Sequence, residues 1–182
     1  AAIVNQLMMS TTDILLNKNG LAYAVRKQGA GLMSILKSTT TKAYIVTYQN
    51  GAEMDKSKLE IGDDKEKLGV YKMTFGIRNF GSSTLSYNVG SIALTEGVNN
   101  IFTGHGDTTV TMNGYQFDAS LTVDSVKNGK ASGNVVTVNG KQTAEVTVTL
   151  RLSDDDKKYL NDSFKHGMYV EGFLTLDNQA AN

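Results

Sequence analysis

Two histidines, a run of three aspartates and the glycine pair of Gly29-Ala30-Gly31 are the residues here whose types could do chemistry. His105 sits in Thr103-Gly104-His105-Gly106-Asp107 and His166 in Lys165-His166-Gly167. A hydrolytic triad needs Ser, His and a carboxylate brought together, yet the serines fall at strand edges and turns and no G-x-S-x-G occurs. His105 therefore reads as a loop-tip residue. His166 follows a helix and reads as a cationic partner for that helix's negative end. With zero Cys, thiolate catalysis, disulfides and Cys-based zinc sites are excluded, and two histidines alone are a poor zinc set. Asp154-Asp155-Asp156 has the hard oxygens that suit calcium. Consecutive carboxylates at a helix start cannot all point at one ion, however, and EF-hand spacing is absent, so helix capping is the expectation. Asp63-Asp64-Lys65-Glu66-Lys67 reads as a solvated loop with compensating charge. Gly29-Ala30-Gly31 lacks the third glycine and preceding strand of a phosphate-cradling loop; it reads as a tight turn passing close to another backbone. The residues thus predict no catalytic, cofactor-binding or metal-ligating side chain.

The composition narrows the class further. The 182 residues are enough for one ordinary domain plus a short appendage. Eighteen basic residues balance 18 acidic ones, which removes the electrostatic footprint of a nucleic-acid binder or of a protein held on anionic lipid. No apolar run approaches the length of a membrane-spanning helix. The first residues lack the basic start and cleavage pattern of a signal peptide. Proline is absent, where average usage would give roughly nine, so turns must come from Gly, Asn and Asp.

Two kinds of element must position whatever these residues do. In residues 1–38 the period is helical. Ile3, Val4, Leu7 and Met8 fall on one face with Asn5, Gln6 and Ser10 elsewhere, and Leu32, Met33, Ile35 and Leu36 form a second short helix. Both are too short to be stable alone and need a surface to lie on; Asn17-Lys18-Asn19-Gly20 turns the chain between them. From Ala43 the period becomes two. Tyr71, Met73, Phe75 and Ile77 alternate with polar neighbours, as do Phe117, Ala119, Leu121 and Val123. Ala144, Val146, Val148, Leu150 and Leu152 give the clearest stripe. The apolar register slips near Gly90 and Ser91, which predicts a β-bulge there. Asn79-Phe80-Gly81-Ser82 and the steps Asn113-Gly114, Asn128-Gly129 and Asn139-Gly140 read as turns, the Asn-Gly steps as hairpin turns. One helix interrupts the strands: Ser153 with Asp156 makes a capping box, Leu160 and Phe164 give it a sticky side, and it ends before Gly167. The last strand, 168–177, places Met168, Val170, Leu174 and Leu176 on one face. Tyr169 and Phe173 lie on the other, either as a contact surface or beneath the 153–164 helix. Seven or more such strands predict a mainly β protein, an antiparallel β-sandwich with short N-terminal helices and one helix before the last strand.

Several of these segments also carry a family resemblance. Leu7-Met8-Met9-Ser10-Thr11-Thr12, followed by Val25-Arg26-Lys27-Gln28-Gly29-Ala30-Gly31-Leu32, resembles the end of a subtilisin-like catalytic domain, with its "LMSTA" segment and "R-x-QGAG" turn. Ile77-Arg78-Asn79-Phe80-Gly81 with Leu85-Ser86-Tyr87 is similar to the "V-x-N-x-G … L-x-Y" strand pair of a fibronectin type III-like domain. Lys165-His166-Gly167-Met168-Tyr169-Val170-Glu171-Gly172-Phe173 resembles its closing "NGxYVEGF" strand. Together they resemble the fibronectin type III-like domain that follows the catalytic domain in Gram-positive cell-envelope subtilisin-like proteases of the lactocepin and complement-peptidase type. The G-T-S-M-A serine motif and the upstream triad segments are absent, so the resemblance carries over no catalytic residue. It divides the chain into a catalytic-domain tail (1–38) and a sandwich (39–182), with Gly104 to Gly140 longer than the family pattern and read as an extra hairpin.

The resemblance implies a non-catalytic accessory domain of a secreted, cell-wall-associated protease. Its implied partners are the parent's catalytic domain and protein substrates, with no cofactor, no nucleic acid and no membrane insertion. The chain then reads as a fragment cut inside the last catalytic-domain helix. Its apolar face of Ile3, Val4, Leu7 and Met8 is expected to fold back on the sandwich or to pair with a second copy through residues 1–12. A free-standing adhesion or glycan-binding module is the alternative, with the 104–140 stretch as its binding face; an enzyme in its own right lacks a nucleophile–base pair.

Overall fold

The computed structural model describes residues 2–99 and 109–179, with side chains described outside 99–113. His105 and the Thr103-Gly104-His105-Gly106-Asp107 motif lie outside the described residues. The chain forms two antiparallel sheets packed as a sandwich, as the alternating stripes predict. The first sheet has the order β2 (Ala52–Met54), β1 (Ala43–Gln49), β3 (Val70–Asn79), β9 (Thr143–Arg151), β6 (Ser120–Lys127). The second runs β10 (Glu171–Asn178), β4 (Leu85–Asn99), β8 (Val135–Val138), β7 (Lys130–Ser132), and β5 (Thr109–Gln116) pairs with the far half of β4.

The core sits where the stripes face each other. Phe75 and Ile77 of β3 and Ala144, Val146 and Val148 of β9 meet Val89 of β4 and Val136 and Val138 of β8. Full burial of each of these Phe, Ile and Val side chains stabilises the fold by about 1.5–3 kcal/mol. A second cluster of Ala93, Phe117, Leu150 and Leu152 lies at one end of the sandwich, and Leu160 of helix α4 (Asp154–Ser163) packs on it. That helix begins at the capping box expected of it. Ser153 Oγ accepts from the Asp156 N–H, and the Asp156 carboxylate accepts from the Ser153 N–H. Tyr159 stacks on Tyr115 with ring centroids 3.8 Å apart and meets Phe164 edge-on. Gly167, at φ +86°, turns the chain beyond the helix.

The turns differ from expectation in what they connect. Asn128-Gly129 and Asn139-Gly140 are turns, but they carry the chain from one sheet to the other rather than making hairpins. Buried Asn79 organises a third crossing. Its side chain donates to Ser83 O (2.8 Å) and Val138 O (3.3 Å) and accepts from the Gly81 N–H. Lys141 N–H donates to Gly81 O, so two of the crossings interlock. Asn113-Gly114 is not a turn; it lies inside β5. The two-residue Asn-Gly hairpin is Asn50-Gly51, whose φ values of +52° and +78° fit a type I′ turn joining β1 to β2.

Three further expectations are corrected. No bulge occurs at Gly90 and Ser91, because β4 and β10 pair without interruption from Tyr87 to Leu94. The apolar register changes there because both faces of β4 become buried beyond Ala93; the shift lies between Thr95 and Gly97, against β5. Phe117 and Ala119 precede β6 rather than belonging to it. The Phe117 N–H donates to Ala93 O, and both side chains fill the second cluster from the link between sheets. The described part of the 104–140 stretch supplies β5 to β8, strands integral to both sheets, rather than an appended hairpin.

Candidate functional site

Residues 1–38 build a junction on the sandwich, starting from a small hairpin. Asp13 and Leu32 exchange backbone hydrogen bonds at 2.8 Å each, and Leu16 bridges Ala22. Between them Asn17 Oδ1 accepts from the Asn19 and Leu21 N–H groups, which makes the expected turn at 17–20. The Gln28 side chain staples the hairpin from inside, accepting from the Leu15 N–H (2.7 Å) and donating to Leu15 O and Tyr23 O. Gly31 has φ +118°, and a Cβ there would strike the Asp13 carbonyl. The Gly29-Ala30-Gly31 segment is thus the close backbone approach expected of it. The helices differ from the prediction: α2 is Val25–Gln28, and α3 is Ile35–Thr40, opened by a Ser34 cap, with Leu32 and Met33 preceding it.

Arg26 then fastens this hairpin to the second sheet. Its guanidinium pairs with Glu96 of β4 and lies 3.6 Å from Glu171 of β10, while the Arg26 N–H donates to Glu171 Oε2 at 3.1 Å. The guanidinium also sits over the Tyr169 ring, 5.9 Å from its centroid. Glu171 is paired with Leu94 across the ladder, and Glu96 lies two residues on from Leu94, so both carboxylates point out of the same sheet face toward α2. Leu94 and Glu96 are buried on that face, with side chains otherwise outward-directed. Tyr169 is 75% exposed and is met by Arg26, an arrangement closer to the contact-surface reading than to cover by α4.

Helix α1 (Ala2–Ser10) makes the second attachment through Gln6 and Ser10, with Ile3 and Val4 turned outward rather than folded back on the sandwich. Gln6 is 2% exposed and donates to Met54 O, whereas Ile3 and Val4 are 57% and 55% exposed. The reason lies in β1, which has β2 beside it only at Thr47–Gln49 and so leaves backbone groups open farther along. Ser10 Oγ accepts from the Ile45 N–H at 2.9 Å, and Ser57 Oγ contacts Ser10 and donates to Ile45 O. These contacts pair backbone groups that would otherwise be left open at the sheet edge.

The result is a segment held to the sandwich by polar groups that turns its apolar side chains away. Among the described residues, nine of the fourteen exposed large apolar side chains lie between Ile3 and Leu36. Leu15, Leu16, Leu32, Met33, Ile35 and Leu36 form most of them.

These contacts join segments far apart in sequence: the Arg26–Gly31 motif and the strand containing Glu171 and Gly172. A Cβ at Gly172 would strike Ile92 O, so this glycine lets β10 approach β4. Residues 59–182 match the family model described as the Fn3-like domain. The chain belongs to the Fn3-like domain family. No curated protein matches it.

The remaining candidates of this Fn3-like chain fall as follows. His166 is exposed, two residues beyond the Phe164 cap of α4. Asp154 is fully outward and pairs with Lys157, while Asp156 is buried in the capping box, so the run diverges. Asp64 does more than compensate charge: its carboxylate accepts from the Leu68 and Gly69 N–H groups and closes the loop before β3. Among the described residues, no group of three His, Asp or Glu could hold a metal, and no helix is long and apolar enough to cross a membrane. Sequence reasoning missed the Arg26–Glu96–Glu171 clamp. Its available signal was a glutamate interrupting the otherwise apolar-alternating end of each of two strands.

Proposed function

We propose that this chain is a non-catalytic accessory β-sandwich from a secreted, wall-associated subtilisin-like serine protease of the lactocepin and complement-peptidase type. Residues 1–38 are the tail of the catalytic domain, and the sandwich is a rigid support that helps present protein substrates. The observation that carries the reading is the outward apolar surface from Ile3 to Leu36, held on the sandwich by polar contacts of the opposite side. Such a surface on a segment that resembles a catalytic-domain end is what a preceding domain would cover.

Two measurements test this. The isolated chain is expected neither to cleave casein nor to be labelled by a serine-reactive phosphonate; turnover or labelling would sink the non-catalytic reading. In the full-length protein, Met33 is expected to oxidise much more slowly than in this chain, where it is 46% exposed. Equal rates would show that no preceding domain covers the junction.

A further inference from the structure

Among the described residues, one sheet edge stands out because the other edges are better defended. Exposed edges template strand pairing, and proteins blunt them with short strands, bulges, charges or covers. Strands β2 and β7 have three residues each. β6 shifts register between Val123 and Ser125 and ends on Lys127, and β5 lies against a register shift at Thr95 and Gly97. The open part of β1 is capped by Ser10 and Ser57. Strand β10, by contrast, keeps eight consecutive pairs with β4 and contains no Lys, Arg or Pro.

The hydrogen-bond phase says which of its groups are open. Gln179 N–H donates to Ser86 O, so the odd-numbered residues of β10 bond β4. Gly172, Leu174 and Leu176 therefore turn their N–H and C=O groups to the edge.

We propose that this edge pairs with β10 of a second copy of the chain, antiparallel about a two-fold axis at Thr175. In that register Leu174 and Leu176 exchange backbone hydrogen bonds across the axis. Thr175 faces Thr175, Phe173 faces Asp177, and Glu171 faces Gln179, so no like charges stand directly opposite. Glu171, the acidic group at the start of the edge, already has Arg26 beside it. The chain's zero formal charge adds no long-range repulsion between copies. A single strand-to-strand seam is small for an interface, which makes the dimer weak and concentration-dependent. The proposal does not rest on the protease reading.

The test is sedimentation velocity over a concentration series together with site-resolved amide exchange. Dimer formation is expected to slow exchange at Leu174 and Leu176 while leaving Phe173 and Thr175, already bonded to β4, unchanged. Thr175→Lys is expected to abolish the dimer, and the double variant Ile3→Ser, Val4→Ser to leave it intact. A chain that stays monomeric at every concentration overturns the proposal, as does a dimer lost in the Ile3, Val4 variant. Slowing only on addition of an extended peptide, and not on concentration, assigns the edge to a different partner and overturns it too. If Thr175→Lys fails to fold, the amide exchange of the unmodified chain decides.

Discussion

Arg26 is the residue on which the junction turns, because one guanidinium answers two carboxylates and a phenol ring. Removing it leaves Glu96 and Glu171 side by side, mostly buried and without a counter-charge. A fully buried pair broken this way costs about 3–5 kcal/mol. Arg26 is partly exposed, so Arg26→Ala is expected to cost about 2 kcal/mol, read by denaturant unfolding. An unchanged midpoint would mean the clamp is ornamental. Gly31→Ala meets a different obstacle: its backbone lies at φ +118° and its Cβ would strike Asp13 O. It is expected to lose more than about 1 kcal/mol, with the first loss of protection at the Asp13 and Leu32 amides rather than in the sandwich. Gln28, which staples the same hairpin, gives the motif its remaining polar member.

At the scale of elements, the end of α1 and the segment after β2 together act as a surrogate strand, since the Ser10 and Ser57 hydroxyls occupy the hydrogen-bonding positions a neighbour of Ile45 would fill. Ser10→Ala is expected to destabilise by about 1–2 kcal/mol through the unpaired Ile45 N–H. Deleting residues 1–12 is expected to raise aggregation by opening the β1 edge; light scattering that matches the intact chain would contradict this. The helix face also shows where sequence reading stops. Alternation made β3 and β9 legible, because Phe75, Ile77, Val146 and Val148 each face one core. The capping box made α4 legible from Ser153 and Asp156 alone. Periodicity found α1 but not its attachment through Gln6 and Ser10, because it weighs side-chain polarity and is blind to open backbone groups on a distant strand. It misplaced the bulge in β4 for a related reason: both faces of β4 are buried beyond Ala93, where Arg26, some 70 residues upstream, reaches Glu96, and local pattern cannot register this. Turn chemistry identified Asn128-Gly129 and Asn139-Gly140 but not that they cross between sheets, which is a property of topology.

For the molecule as a whole, tyrosines tie stability to alkaline pH. Burial pushes the phenols of Tyr48, Tyr71, Tyr87, Tyr115 and Tyr159 up from 10.0, and Tyr71, with Asp64 nearby, reaches about 12. A folded value above the unfolded one means the folded state holds the proton more tightly. This contribution is complete below about pH 10 and is lost as pH rises through about 12. Stability is therefore expected to fall across that window, with Tyr71→Phe flattening the decline in a series of denaturant titrations. A chain equally stable at both ends would refute the linkage. The absence of proline also predicts refolding without an isomerisation-limited slow phase. What replaces proline in the crossings brings its own clock. In an Asn-Gly step the glycine nitrogen, unshielded by a side chain, can attack the preceding amide, expel ammonia and form a cyclic imide. Water reopens that ring mainly to isoaspartate, which lengthens the backbone by one methylene and adds a negative charge. Two of the sheet-to-sheet crossings contain such steps, at Asn128-Gly129 and Asn139-Gly140, so chemical ageing is expected to reach the seams between the sheets. In a chain of zero formal charge, each such event is a visible acidic shift on isoelectric focusing.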